Sequence, residues 1–228
     1  MTILEAIEVR HSVRKYTGDP IPESVLTALR EKIDEVNRIG NLHVQLVTDE
    51  PKSFSGLMAY GAFSGVNSYL VMAGKKDDSL DERIGYYGEQ LVLLAQTLGL
   101  NSCWAGASYK KIPGTYVLED DEKIGCYIAI GFGINQGNSH KIKTRGDVSN
   151  ASDLTPAWFN KGVDAALLAP TAVNQQKFYF EYLGKKGDGK PKVSAKPTFS
   201  MIGYAKMDLG ITKYHFEVAA GKENFQWA

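Results

Sequence analysis

The apolar positions of the chain fall into stretches of helical period and stretches of strand period. In "TILEAIEVR" (2–10), Ile3, Leu4 and Ile7 share one helical face, with Ala6 beside them. "IPESVLTALREKIDEVNR" (21–38) repeats Val25, Leu29, Ile33 and Val36 at helical spacing, and Pro22 suits a first helical turn. "LHVQLVTDE" (42–50) alternates as a strand does. A glycine-rich connection, "FSGLMAYGAFSGVN" (54–67), leads into "SYLVMAG" (68–74), a buried strand. "DERIGYYGEQLVLLAQTLGLN" (81–101) carries apolar residues around most of its circumference, which predicts a central, largely buried helix. "KIGCYIAIGFG" (123–133) predicts a central strand. After a polar stretch at 135–153, "TPAWFNKGVDAALLAP" (155–170) predicts a helix stopped by Pro170. "KFYFEYLG" (177–184) is a strand and "GKKGDGKPK" (184–192) a polar hairpin loop. "KYHFEVAAG" (213–221) fits a strand or a helix end equally well.

A shift of 134 residues lays the first helix–strand unit on the second without a gap. Pro22 falls on Pro156, Leu29 on Val163, Ile33 on Leu167, Val44 on Phe178 and Leu46 on Phe180. The match is one of pattern, since identities are almost nil. It suggests two related halves, with the polar stretch at 135–153 as the boundary.

Composition narrows the class. Lys plus Arg (26) equals Asp plus Glu (26) in 228 residues, so there is no basic excess of the kind a nucleic-acid surface needs. Cys103 and Cys126 lie in apolar runs, as buried free thiols of a reducing compartment do. Residues 1–10 lack the apolar core of a signal peptide, and no apolar run reaches membrane-spanning length. The expectation is a cytoplasmic protein with no membrane and no nucleic-acid partner. The four histidines are scattered, so no metal site is expected.

Three stretches could carry chemistry. In "VRHSVRKY" (9–16), Arg10, His11, Ser12 and Arg14 suit a phosphate clamp, because guanidinium groups pair bidentately with phosphate oxygens. "HKIKTR" (140–145) adds a second basic cluster with Lys143 and Arg145. Two solvated surface patches would read the same way. "LAPTAVNQQ" (168–176) offers the hydroxyl and amide groups of Thr171, Asn174 and Gln175 after Pro170, fit for the polar edge of a heteroaromatic ring or for a helix cap. In "GLNSCWAGAS" (99–108), Ala105, Gly106 and Ala107 would let a flat ligand approach the backbone closely; a plain helix-to-loop exit beside a core Trp104 fits equally.

Together these stretches resemble the nitroreductase-like FMN flavoproteins. "VRHSVRKY" is similar to that family's N-terminal R-R-S-[IV]-R-x-[FY] signature, and "LLAPTAVNQQKFYF" to its A-P-S-A-x-N-x-Q-P-W-x-F segment. "YYGEQLVLLAQTLGLNSCWAGAS" is similar to its central helix and G-L-G-[ST]-C-W-x-G exit. Two departures stand out: the A-P-S-A-x-N segment arrives late, at Ala169, and its P-W is Lys177-Phe178 here. The resemblance implies an α+β FMN-binding fold, a mixed or antiparallel sheet flanked by helices, in two pseudo-symmetric halves. Residues 1–150 would be the first half, and 151–228 a shorter second half completing the FMN site.

The resemblance also implies roles. Arg10, His11, Ser12 and Arg14 would hold the FMN phosphate and ribityl chain, with Arg145 or Lys143 as a second phosphate ligand. Pro170, Thr171 and Asn174 would lie against the ring and ribityl, and Ala105 and Gly106 near the ring's reactive edge. The implied activity is hydride transfer from NADH or NADPH through FMN to a small-molecule electron acceptor such as a nitroaromatic or quinone, with no catalytic side chain required. The alternative is an FMN store or redox sensor without turnover. A monomeric pseudo-dimer or a homodimer would fit, and Tyr60, Phe63, Tyr86 and Tyr87 are candidates for a lid or for core aromatics.

Overall fold

The computed structural model describes residues 1–55, 63–185, 187 and 189–228. Among the described residues, six α-helices and seven strands form two helix–sheet layers. The first sheet has the order β1-β2-β4-β3, from β1 (Gln45–Val47), β2 (Ser68–Lys75), β3 (Asn101–Ala105) and β4 (Glu122–Gly131), all antiparallel. The second has the order β5-β6-β7, from β5 (Phe178–Gly184), β6 (Lys192–Pro197) and β7 (Gln226–Trp227). The helices are α1 (Ile3–Val9), α2 (Glu23–Gly40), α3 (Leu80–Thr97), α4 (Arg145–Val148), α5 (Ala157–Leu167) and α6 (Ala205–Ala220). The α+β class with antiparallel pairing agrees with the expectation.

Local chemistry sets the element ends. Thr2 and Glu5 close a capping box on α1, the Thr2 hydroxyl accepting from Glu5 N–H at 3.2 Å and Glu5 accepting from Thr2 N–H at 2.7 Å. Pro22 and Pro156, the pair related by the 134-residue shift, both cap their helices, at φ −57° and −59°. Beyond α2 the chain turns through Asn41 in the left-handed region, at φ 48°.

Strand β2 is buried along nearly all its length. One face of its sheet packs on α2 and α3 through Leu29, Ile33, Leu70 and Ile128. The other buries Val13, Tyr16, Phe54 and Tyr69, with Tyr69 stacked on Tyr127 at 5.0 Å and Tyr109 on Tyr127 at 3.9 Å. The second sheet packs on α5 and α6 through an aromatic core, in which Phe180 stacks on Phe216 at 4.8 Å.

One sequence expectation is corrected and one open alternative is decided. Residues 101–105 leave α3 not as a loop but as strand β3, paired with β4 from Asn101↔Gly131 to Ala105↔Tyr127. Long-range pairing outweighs the loop-like small residues there. Of residues 213–221, open between strand and helix end in the sequence, all but the C-cap Gly221 belong to α6, whose buried Leu209, Thr212, Phe216 and Ala220 recur at helical spacing.

Helix α6 joins the layers, because it packs on α3 as well as on α5. At the α3–α6 crossing each helix presents a glycine to the other's backbone. A Cβ on Gly85 would lie 2.0 Å from Met207 O and 3.0 Å from Ile211 N. A Cβ on Gly210 would lie 2.0 Å from Glu82 O and 2.6 Å from Tyr86 N. The contacts are reciprocal: each glycine faces the residues three before and one after the other. Gly210→Ala must therefore push the helices apart, and should lower stability by about 1–3 kcal/mol in urea denaturation, the usual cost of overpacking.

Candidate cofactor site

The N-terminal segment lies along β3 as an added, extended edge. Ser12 bridges Ser102 in parallel, and Val13 N–H donates to Ser102 O at 3.0 Å. Further on, Tyr16 N–H donates to Ser64 O at 2.8 Å. Extended backbone alternates its side chains, so Arg10, Ser12 and Arg14 share one side while Val13 enters the core. That shared side faces two adjoining recesses.

The first recess, of about 320 Å³, lies at the end of β3. Trp104, Ala105 and Gly106 form one wall, and Pro170, Thr171 and Val173 another. Tyr204, Met207, Asp208 and Ile211 enter from the start of α6, and Phe63 also borders the space. The Tyr204 ring lies so close over Gly106 that a Cβ there would sit 2.6 Å from it. The second recess, of about 380 Å³, shares Ser12, Arg14, Pro170 and Thr171, and adds Arg10, Lys15, His140 and Asn174. Its charged lining is wholly cationic, whereas the first recess contains the carboxylate of Asp208. The pair thus has an apolar, flat-walled end and an anion-seeking end.

Arg10 is the most telling member. It is 2% exposed, and its Nε and Nη1 have no hydrogen-bond partner among the described residues. Burial lowers its pKa below the ordinary value, opposed by the nearby Glu89. Buried guanidinium N–H groups without hydrogen bonds are costly, and the carboxylate of Glu89, with Oε1 3.8 Å from Nε, offsets part of that cost.

The loop facing these arginines is laced in place. Val173, Asn174 and Gln176 take positive φ, at 45°, 57° and 48°. For a β-branched residue such as Val173 that costs of order 1–3 kcal/mol. Holding it, Thr171 Oγ1 accepts from Gln176 N–H at 3.1 Å, and Lys143 Nζ donates to Gln176 O at 2.8 Å. Asn174 Nδ2 donates to Lys141 O at 2.8 Å, so its amide braces the loop. Asp208 accepts from Ala172 N–H at 3.0 Å and from Gln175 Nε2 at 2.7 Å. Burial pushes the Asp208 carboxyl up to about 6, against those hydrogen bonds.

Of the residues singled out from sequence, Arg10, Ser12, Arg14, Ala105, Gly106, Pro170, Thr171 and Asn174 border the recesses. His11 does not, and its Cβ faces Gly137. Lys143 is committed to the loop carbonyls. Arg145 is held bidentately by Asp164, with Nε–Oδ1 and Nη2–Oδ2 both at 2.5 Å. From "HKIKTR" it is His140 that reaches the cationic recess. Among the proposed lid aromatics, Phe63 borders the first recess and Tyr60 lies outside the described residues, while Tyr86 and Tyr87 line a separate hollow with Tyr214 and Glu217. Sequence reading missed Tyr204, Met207 and Asp208, whose helical period in α6 was the available signal. Both thiols are buried and raised in pKa by that burial, which disfavours a nucleophilic thiolate. Among the described residues no group of side chains has a metal-binding arrangement, and no helix is long and apolar enough to cross a membrane.

The model of the family described as "Putative TM nitroreductase" matches residues 2–220, and the chain belongs to that family. A solved structure of the same description, from Thermotoga maritima, is 24% identical, with a TM-score of 0.62 over 98% of this chain and 85% of that one. One from Desulfovibrio desulfuricans, in complex with FMN, is 16% identical, with a TM-score of 0.54 over 68% of this chain and 99% of that one. A nitroreductase-like protein from Streptococcus mutans is 14% identical, with a TM-score of 0.54 over 67% of this chain and 98% of that one. At these identities the likeness establishes the fold. No curated protein matches the chain.

Asp208 gives the site a pH signature. Its folded-state value of about 6 exceeds the ordinary 3.8, so the folded chain holds this proton more tightly than the unfolded one. The contribution of Asp208 to stability therefore falls as pH rises from about 4 to about 6. Asp208→Asn should remove that slope, which is on the order of 2–3 kcal/mol, in urea denaturation of the ligand-free protein across this range.

Proposed function

We propose that the paired recesses hold FMN, and that the chain is an FMN-dependent oxidoreductase. It would move hydride from NADH or NADPH to a small organic acceptor such as a nitroaromatic or a quinone. The observation that carries this reading is the second recess, where Arg10, Arg14 and Lys15 converge with Ser12 and His140 and no carboxylate joins them among the described residues. The donor set fits a phosphate, and the flat apolar recess beside it fits a ring system. FMN, when bound, supplies the redox chemistry, accepting hydride and passing electrons on.

The chain's own residues bind and orient. Arg10 and Arg14 would offset the phosphate charge, and Ser12 would donate to it. Trp104, Ala105 and Gly106 would bound the ring on the β3 side, and Pro170 and Thr171 on the other. Asp208 fixes the second wall by holding Ala172 and Gln175. Arg145 is left out of the clamp, since Asp164 occupies both edges of its guanidinium.

The site would lie between halves comprising residues 1–150 and 151–228, with one FMN per chain. The reciprocal Gly85–Gly210 crossing and the matched caps Pro22 and Pro156 support this arrangement. By that crossing Tyr86 corresponds to Ile211, and by the 134-residue shift Ile39 corresponds to Val173. Ile39 and Tyr86 indeed share one hollow, of about 390 Å³, but it has no arginine; its one cation, Lys222, lies 3.6 Å from the carboxylate of Glu217. Flavin titration of the ligand-free protein should saturate at one FMN per chain, and two would refute the arrangement.

The direct test is the visible spectrum before and after anaerobic NADH or NADPH. Flavin bands that bleach, and return when a quinone or nitroaromatic is added, are expected. Bands that persist with both donors would make the protein a store or sensor. Arg14→Ala should weaken FMN binding about tenfold or more, the usual worth of a charge-assisted contact, with unchanged thermal stability of the ligand-free chain.

A further inference from the structure

Arg10 is backed by a buried chain of polar groups that reaches across to the second half. Glu89 on α3 and His215 on α6 both have fully buried side chains. Glu89 Oε2 accepts from Trp104 Nε1 at 2.9 Å. Its Oε1 lies 2.8 Å from His215 Nε2 and 3.8 Å from Arg10 Nε. The other ring nitrogen of His215, Nδ1, lies 3.1 Å from Ala165 O.

A carbonyl oxygen only accepts, so Nδ1 of His215 carries a hydrogen. Nε2 then faces a carboxylate oxygen, and two bare acceptors at 2.8 Å would repel each other. A proton must lie on the His215–Glu89 pair, as imidazolium with carboxylate or as imidazole with carboxylic acid. Either way the pair is neutral, and with Arg10 the cluster carries one positive charge. Without that proton the pair would be anionic and would cancel Arg10.

We propose that the proton shared by His215 and Glu89 leaves Arg10 as a net positive charge, making these two positioning residues that set the preference of the recess for a phosphorylated ligand. The proposal rests on the FMN reading. The other charged or titratable groups nearby are Arg14, Lys15 and His140 in the recess, His11 and Cys103 beside Arg10, and Tyr214 beside Glu89. They are unchanged in the variants below, so a difference between variants reports on the pair alone.

The test is the affinity of the full-length, ligand-free protein for FMN and for riboflavin, read by flavin fluorescence. The ratio of the two isolates the phosphate. His215→Gln keeps a donor to Glu89 but removes the extra proton, so the ratio should fall about tenfold, the scale of one charge-assisted contact. Glu89→Gln leaves Arg10 uncancelled and should keep the ratio. The double variant, Glu89→Gln with His215→Gln, should regain what His215→Gln lost. A purely structural role predicts a double variant at least as impaired as the single one, and that result overturns the proposal. So does an unchanged ratio in His215→Gln. Wild-type protein that binds neither flavin would instead overturn the cofactor reading itself. Should His215→Gln fail to fold, nitrogen-15 and carbon-13 NMR of the wild-type pair decides. A bare Nε2 beside an ionised Glu89 carboxylate overturns the proposal, and a proton on either group upholds it.

Discussion

The backbone contact between α3 and α6 is the constraint on which the rest of the molecule depends. Glycine at 85 and at 210 lets two helices approach closely enough for peptide groups to touch. That approach brings the start of α6 over the end of β3, so that Tyr204 covers Gly106 and Asp208 reaches the loop after α5. It also carries His215 to Glu89. A larger residue at either glycine would widen the whole space between the layers, and both walls of the first recess would separate together.

The loop at 171–176 shows how such a space is kept in shape. Positive φ at Val173 is unfavourable on its own, and the surrounding hydrogen bonds hold it in place. They come from Lys143, from Asp208 and from within the loop itself. Side chains that looked from sequence like ligand-binding groups, Asn174 and Lys143, act here as braces. The unpaired N–H groups are concentrated on Arg10 instead.

Legibility in the sequence followed the range over which each feature is decided. The helices α1, α2, α3 and α5, and strands β2, β4 and β5, were readable because apolar period and proline position are local signals. Arg10, Ser12 and Arg14 were readable because they form a compact basic cluster within one short signature. β3 was not, because Asn101–Ala105 owes its form to pairing with β4. The contribution of α6 was not, because Asp208 and Tyr204 meet β3 only through a tertiary crossing. The member of "HKIKTR" that enters the recess depended on the path of the loop, and a run of basic residues does not encode that path.

The strand that bears Arg10, Ser12 and Arg14 also closes a sheet. β3 is the last strand of the first sheet, and its outer edge would present free N–H and C=O groups. The segment from Ser12 covers part of that edge through Ser102. An open strand edge is a template for pairing with other chains. The residues proposed for ligand binding therefore sit on the segment that covers part of an open sheet edge. One stretch of backbone thus has two duties: its side chains line the recesses, and its extended form covers part of the β3 edge.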